Sequence, residues 1–260
     1  AVSQPAWNGR EFFYDSLVMW DDDLNPIPGL AESWETDEAG NHIFHLRKGV
    51  KFHNGKEMTA ADVKYSVEMM VAPPEPGVAI GVLGNIAGAD IIDDYTVKIN
   101  TNTVDPTLLG NLAWGRYTAV VPENFYDDYN ALSEAVGTGP MKLVEYVQDD
   151  VVVMEANPDF WGAGIPCIAK LTLKTLAEEQ TRVAALRSGE IDGGTVGPDT
   201  VMTLEGDDSL TILEGLVSTP NVIQFQTAEA DVPWRDTRVR QAVSKVVDRE
   251  LIKANVFGGK

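Results

Sequence analysis

A mixed α/β fold is what this sequence predicts, and three observations predict it. Ile43-Phe44-His45-Leu46-Arg47 alternates with period two, which puts Phe44 and Leu46 on one face of a strand. Thr59-Ala60-Ala61-Asp62 has the pattern of a helix start, and Val63, Ser66, Val67 and Met70 follow it at helical spacing. Strand-like and helix-like stretches then interleave along the chain, with no internal repeat.

Taken in order, residues 12–20 read as an apolar strand that runs into the acidic turn Asp21-Asp22-Asp23, and Pro26, Pro28 and Gly29 mark an irregular connection. Gly49 and Asn54-Gly55 supply turn chemistry on either side of Val50-Lys51-Phe52. The helix that opens at Thr59 ends at Pro73-Pro74-Glu75-Pro76-Gly77. Two short strands flank Asp93-Asp94, and a short helix follows Asp105 to Leu112. Residues 141–154 form a hairpin about Gln148-Asp149-Asp150, and a strand over 168–173 precedes an amphipathic helix over 178–187, closed by Gly189 in a left-handed conformation. A last strand over 222–227 leads to a helix over 237–253, with Val239, Val243, Val246, Val247 and Leu251 on its apolar side.

Composition narrows the function classes. The chain has 260 residues, 44% hydrophobic and 23% charged, the balance of a folded globular protein able to bury one large core or two modest ones. Its 40 acidic residues against 20 basic ones give a net charge of -20, which repels nucleic acid and anionic lipid alike; the acidity itself is read as solubility. The single cysteine, Cys167, has no internal partner for a disulfide, and no apolar run approaches the roughly 20 residues that cross a bilayer. Ala1-Val2-Ser3-Gln4-Pro5 lacks the basic flank and apolar stretch of a signal peptide.

Motifs for catalysis are weak. His42 and His45 lie three apart on an alternating strand and so face opposite ways, and with His53 they are read as structural residues rather than metal ligands. Gly137-Thr138-Gly139-Pro140 has the glycines of a phosphate loop but no Lys-Ser/Thr ending, and Pro140 opens a strand. Ser188-Gly189-Glu190 is not a nucleophile elbow, and Asp21-Asp22-Asp23 and Asp207-Asp208 lack the spaced ligands of a calcium loop. Neither a cofactor nor a metal is expected.

The stretch from Pro28-Gly29-Leu30-Ala31-Glu32-Ser33-Trp34-Glu35 through Phe44-His45-Leu46-Arg47-Lys48-Gly49-Val50-Lys51-Phe52 to Thr59-Ala60-Ala61-Asp62-Val63-Lys64-Tyr65-Ser66 resembles the signature of family 5 solute-binding proteins, the dipeptide, oligopeptide and nickel class. Gly137-Thr138-Gly139-Pro140, Ser188-Gly189-Glu190-Ile191-Asp192, and Asp236-Thr237-Arg238-Val239-Arg240-Gln241-Ala242 with Asp248-Arg249 add blocks in the expected order. The resemblance implies a periplasmic-binding-protein-like lobe, type II and cluster C-like, with a smaller inserted α+β subdomain. It implies residues 1–27 and 134–250 as the main α/β part, 28–133 as the insert, and 251–260 as the start of the hinge to a second lobe that this truncated chain lacks. In that family solute is trapped as two lobes close, and peptide binders hold the ligand's amino terminus with an acidic residue of the second lobe.

By the same resemblance the protein captures peptides or another small solute outside the cytoplasm and delivers it to the permease subunits of an ABC importer, touching the membrane only through the permease or a removed lipid anchor. It is not an enzyme, although a hydrolase or a chaperone-like interaction protein on the same fold is the alternative. Ligand contacts are expected at Tyr14 and Asp15, where the family commonly has Tyr-Glu-Gly-Leu; at Trp114, Arg116 and Tyr117; and at Gln224, Phe225 and Gln226, where relatives carry an aromatic followed by Asn-Thr. A cleft-facing Arg116 would favour a ligand carboxylate.

Overall fold

The computed structural model describes residues 10–72, 83–115, 118–130, 133–213, 215 and 222–256. The chain divides into two compact units, Ala1–Thr175 and Leu176–Lys260. The expected helix-ending segment 73–77 lies outside the described residues, and the helix before it ends at Val71.

In the first unit a short helix α1 (Arg10–Phe13) precedes strand β1 (Val18–Trp20), which pairs antiparallel with β2 (Pro26–Pro28). This corrects the reading of 12–20 as one strand. Tyr14 N bonds to Arg10 O and closes a helical turn, while Phe13 O is taken by Gly139 N, so the backbone enters a strand only at Val18. The prolines of β2 were expected in an irregular link; a two-stranded ribbon tolerates them because Pro26 and Pro28 need no ladder donor on their outer side.

Strands β3 (Ala31–Thr36), β4 (His42–Leu46), β5 (Ile86–Asp93) and β6 (Thr96–Thr101) form an antiparallel sheet in the order β3-β4-β6-β5. Period two holds in β4, where His42, Phe44 and Leu46 are buried and His45 is exposed, so the two histidines do face opposite ways. Helix α2 (Ala60–Val71) packs on β5 and β6, and the short helices α3 (Leu108–Leu112) and α4 (Phe125–Asp128) follow. Phe44, Phe52, Leu30, Met58, Val63 and Ile99 form the centre of the core. A second antiparallel sheet, β7 (Met141–Val147), β8 (Val151–Ala156) and β9 (Lys170–Lys174), contains the expected hairpin and covers a smaller core around Phe13, Met141 and Met154.

Asp62 ties the first unit together. Its side chain is fully buried and accepts four bonds: Thr59 N at 2.9 Å and Thr59 Oγ1 at 3.2 Å on Oδ2, and Glu123 N at 2.8 Å and Lys56 Nζ at 2.7 Å on Oδ1. The capping bond fixes the start of α2, the Lys56 bond fixes the turn before it, and the Glu123 bond anchors a segment 61 residues on. Ser66 adds a second anchor by donating to Asp62 O and accepting from Val121 N. In the turn itself, Asn54 Oδ1 accepts from Lys56 N, Asn54 Nδ2 donates to Tyr129 Oη, and Gly55 N bonds Phe52 O.

In the second unit, helix α5 (Glu179–Ser188) ends at Gly189 with φ of 71°, the expected left-handed cap. Glu179 reaches forward to Gly197 N and Thr200 Oγ1 at the start of α6 (Pro198–Leu204), and Arg182 donates to the carbonyls of Leu176, Ala177 and Thr195. A 3-10 turn at Pro233–Arg235 leads into α7 (Thr237–Val246) and α8 (Arg249–Val256). One helix over 237–253 was expected. Val247 is extended and Asp248 Oδ1 accepts from Leu251 N, so Asp248 caps a new helix and the old one stops. The expected strand over 222–227 is also absent: among the described residues of this unit no strand stands beside it to share a ladder. Neither α7 nor α8 buries a residue, and Val246 is 82% exposed.

Removing the Asp62 charge leaves Lys56 and two backbone donors without their acceptor. Asp62→Ala should lower unfolding free energy by about 3 kcal/mol, read as a reduced urea midpoint with an unchanged slope.

Candidate functional site

The site is built where residues 12–15 cross residues 137–139. A Cβ on Gly137 would stand 2.0 Å from Phe13 O, and one on Gly139 would stand 2.5 Å from Phe13 C, so only glycine permits the backbones to meet. Gly139 N donates to Phe13 O at 3.0 Å. The approach delivers the buried Thr138 to Asp15: Thr138 Oγ1 donates to Asp15 Oδ2 at 2.8 Å. Trp161 Nε1 donates to the same oxygen at 2.9 Å, and Val120 N bonds Asp15 O at 3.0 Å.

Two further side chains hold this arrangement. Arg47 lies over the Trp161 ring, 4.9 Å from its centroid, and its Nε donates to Gly29 O at 2.7 Å. Its side chain is only 30% exposed, with the indole over it. His53 faces residues 135–139 from the other side. Its backbone N donates to Gly137 O at 2.8 Å and its Nε2 donates to Gly139 O at 3.0 Å, while Nδ1 is 3.4 Å from both Gly137 N and Ala135 O. Neutral His53 accepts from Gly137 N; the imidazolium donates to Ala135 O instead.

Burial pushes the Asp15 carboxyl above its ordinary range, against the opposing pull of the Trp161 and Thr138 bonds and nearby His53. Burial also lowers His53 and His42. The Tyr14 phenol is pushed up to about 12, chiefly by burial against Phe13 and Phe125, which it meets edge-on with centroids 6.4 Å away in each case.

The expected contacts fare differently. Tyr14 and Asp15 are half-buried, Tyr14 as a packing residue and Asp15 as the acceptor of the cluster. Trp114 is 54% exposed; its neighbour Gly115 lies near Ser16 Oγ, and Val120 N bonds Asp15 O. Arg116 and Tyr117 lie outside the described residues. In the second unit Gln224 and Phe225 line an open depression of about 630 Å³ with Val222, Ile223, Thr227, Arg235 and Arg240. Gln226 is exposed and its backbone O accepts from Trp234 Nε1 at 2.6 Å. Sequence reasoning missed Trp161; the Asn157-Pro158-Asp159 turn before the Phe160-Trp161 pair was its available signal.

The residues a hydrolase would recruit are otherwise engaged. Ser16 Oγ donates to Val18 O at 2.7 Å, His42 Nδ1 meets Thr36 Oγ1 at 3.1 Å, and both nitrogens of the His53 ring are bonded to the backbone of residues 135–139. Among the described residues no group of His, Cys, Asp and Glu is arranged to hold a metal ion, and no helix is long and apolar enough to cross a membrane.

Antiparallel sheets with flanking helices in this arrangement are the fold of a type II periplasmic binding protein. The chain belongs to the bacterial extracellular solute-binding proteins, family 5, which its residues 25–260 match. A Brucella ovis relative named as an ABC transporter peptide-binding protein is 31% identical over 256 residues, covering 95% of this chain and 48% of the relative. AppA from Bacillus subtilis, solved with a nonapeptide, superposes with a TM-score of 0.86 at 25% identity, over 100% of this chain and 53% of that one. NikZ from Campylobacter jejuni, solved with Ni(L-His), also gives 0.86, at 24% identity over 96% of this chain and 50% of that one, and shows the fold alone. The chain thus spans about half the length of the relatives it matches.

Gly137→Ala should abolish folding of the first unit or cost several-fold more than a surface Gly→Ala change, read by thermal melting, because the obstruction is backbone and cannot rotate away. Acid should also weaken the structure. With folded values below the unfolded one of about 6.5, His42 and His53 contribute stability that is present above that pH and lost as pH falls through their folded values. Asp15 acts oppositely, since its raised value favours the folded state as it protonates. Melting temperature should fall between pH 7 and pH 5, and His53→Gln should flatten that fall.

Proposed function

We propose that this protein is the non-catalytic solute-capturing component of an ABC importer, working outside the cytoplasm, and that the chain forms the first of two lobes that close on a peptide or a related small solute. The family match across residues 25–260 carries this reading. The Brucella and Bacillus relatives, one named for peptide binding and one solved with a nonapeptide, support peptide as the solute class. Permease subunits are the implied partners.

Within the lobe, residues 1–27 with 134–250 form the main part and 28–133 the insert, with 251–260 leading to the hinge. The β3-β4-β6-β5 sheet falls wholly inside the insert and the β7-β8-β9 sheet wholly outside it, which supports the division. Asp15, Trp114, Arg116 and Tyr117 supply one set of contacts; Gln224 and Phe225 supply a second from the open depression, with Gln226 between Phe225 and Thr227 in sequence. Tyr14 acts as the wall behind Asp15.

A thermal-shift screen of the full-length protein against peptides, metal chelates and oligosaccharides tests the reading. A ligand confined to the folded state raises stability by about 2.7 kcal/mol at one hundred times its dissociation constant. Peptides should raise the melting temperature; a response to oligosaccharides alone would overturn the peptide assignment, and hydrolysis of a bound peptide would overturn the non-catalytic one.

A further inference from the structure

Among the described residues Asp15 is a carboxylate without a counter-ion. Its two side-chain bonds come from neutral donors, Thr138 Oγ1 and Trp161 Nε1, and both end on Oδ2. Among the described residues no lysine or arginine pairs with it: the ion pairs of the first unit bind Glu32, Asp37, Asp62, Glu68 and Asp159 instead. Arg47, which lies over the Trp161 ring, donates to Gly29 O. The neighbouring His53 is held towards its neutral form by burial.

A half-buried charge that meets only neutral donors is unusual, because removal from water is costly unless an opposite charge offsets it. The two donors orient the group without neutralising it. They also leave one oxygen free. Every buried side-chain nitrogen or oxygen among the described residues has a hydrogen-bond partner, and Oδ1 has none, so Oδ1 reaches solvent. Thr138 is fully buried and the Gly137 and Gly139 backbones are locked against Phe13, so the direction of that oxygen is fixed before anything binds.

We propose that Asp15 Oδ1 is a preorganised anchor for a cationic group of the solute, a primary ammonium or a guanidinium, and that the missing counter-charge of Asp15 is supplied by the ligand. The inference rests on the solute-capture reading and narrows it to cation-bearing solutes. Thr138 and Trp161 are positioning residues in this scheme, and a net charge of -20 draws such solutes towards the protein.

The test is calorimetric titration of the full-length protein with a matched pair that differs only in side-chain charge, tri-lysine and its Nε-acetylated form. Tri-lysine should bind tenfold or more tightly than its acetylated partner. Asp15→Asn, which keeps shape and an acceptor oxygen, should erase that preference. Thr138→Val and Trp161→Phe keep the charge but loosen it, and each should reduce the preference severalfold; they decide the matter if Asp15→Asn fails to fold. A preference unchanged in Asp15→Asn, or in both positioning variants, overturns the inference while peptide capture stands. If no peptide binds, the peptide reading falls, and agmatine and cadaverine replace them in thermal-shift measurements. A shift lost in Asp15→Asn then supports the anchor, and no shift or one that survives the substitution overturns it.

Discussion

The first unit depends on two stretches of backbone being allowed to touch. Gly137 and Gly139 lie against Phe13 closer than any side chain would permit, and that contact brings Thr138 to Asp15 and lets His53 close over residues 135–139. Met141 then enters β7 beside Phe13 in the smaller core. The crossing joins residues more than 120 positions apart, so its loop-closure entropy is large. Buried hydrogen bonds to fixed backbone offset that cost and define one geometry, in a way that apolar contact alone does not.

Asp62 and Asp15 show two ways of keeping a carboxylate away from water. Asp62 has a lysine and three further donors, which makes it a fastening for the chain around α2. Asp15 has two neutral donors and an open oxygen, which makes it available. Burial alone does not separate the roles; the count and charge of the partners does. A structural acid is complete within the protein, and a recognising acid is completed by its ligand.

The local parts of the fold are legible in the sequence and the long-range parts are not. The Thr59–Asp62 cap, the β4 alternation, the 141–154 hairpin and the Gly189 cap each rest on residues within a few positions of one another, and each forms as read. Two of the misreadings have a long-range cause. Residues 12–20 have strand composition, but Phe13 O is committed to Gly139, far along the chain. Residues 222–227 have strand composition without a neighbouring strand among the described residues of their unit. At Val247-Asp248 the apolar period runs on while the Asp248 cap ends the helix, a local signal that outweighs the period. For the site, Asp15 could be singled out by family likeness, whereas Thr138 and Trp161 lie 123 and 146 residues away and only folding puts them on one oxygen.

The turn at Asn54-Gly55 has a chemical consequence of its own. Asparagine before glycine is the pair most prone to spontaneous deamidation, through attack of the following backbone nitrogen on the side-chain carbonyl, and asparagine is among the thermolabile residues. Here Gly55 N is bonded to Phe52 O, Asn54 Oδ1 is held by Lys56 N, and Asn54 Nδ2 is held by Tyr129 Oη. The nucleophile and both ends of the amide are therefore restrained away from the cyclic intermediate. The turn that precedes Asp62 should age slowly while the protein is folded and quickly once it opens, so isoaspartate at position 54 would record how often this part of the molecule has come apart.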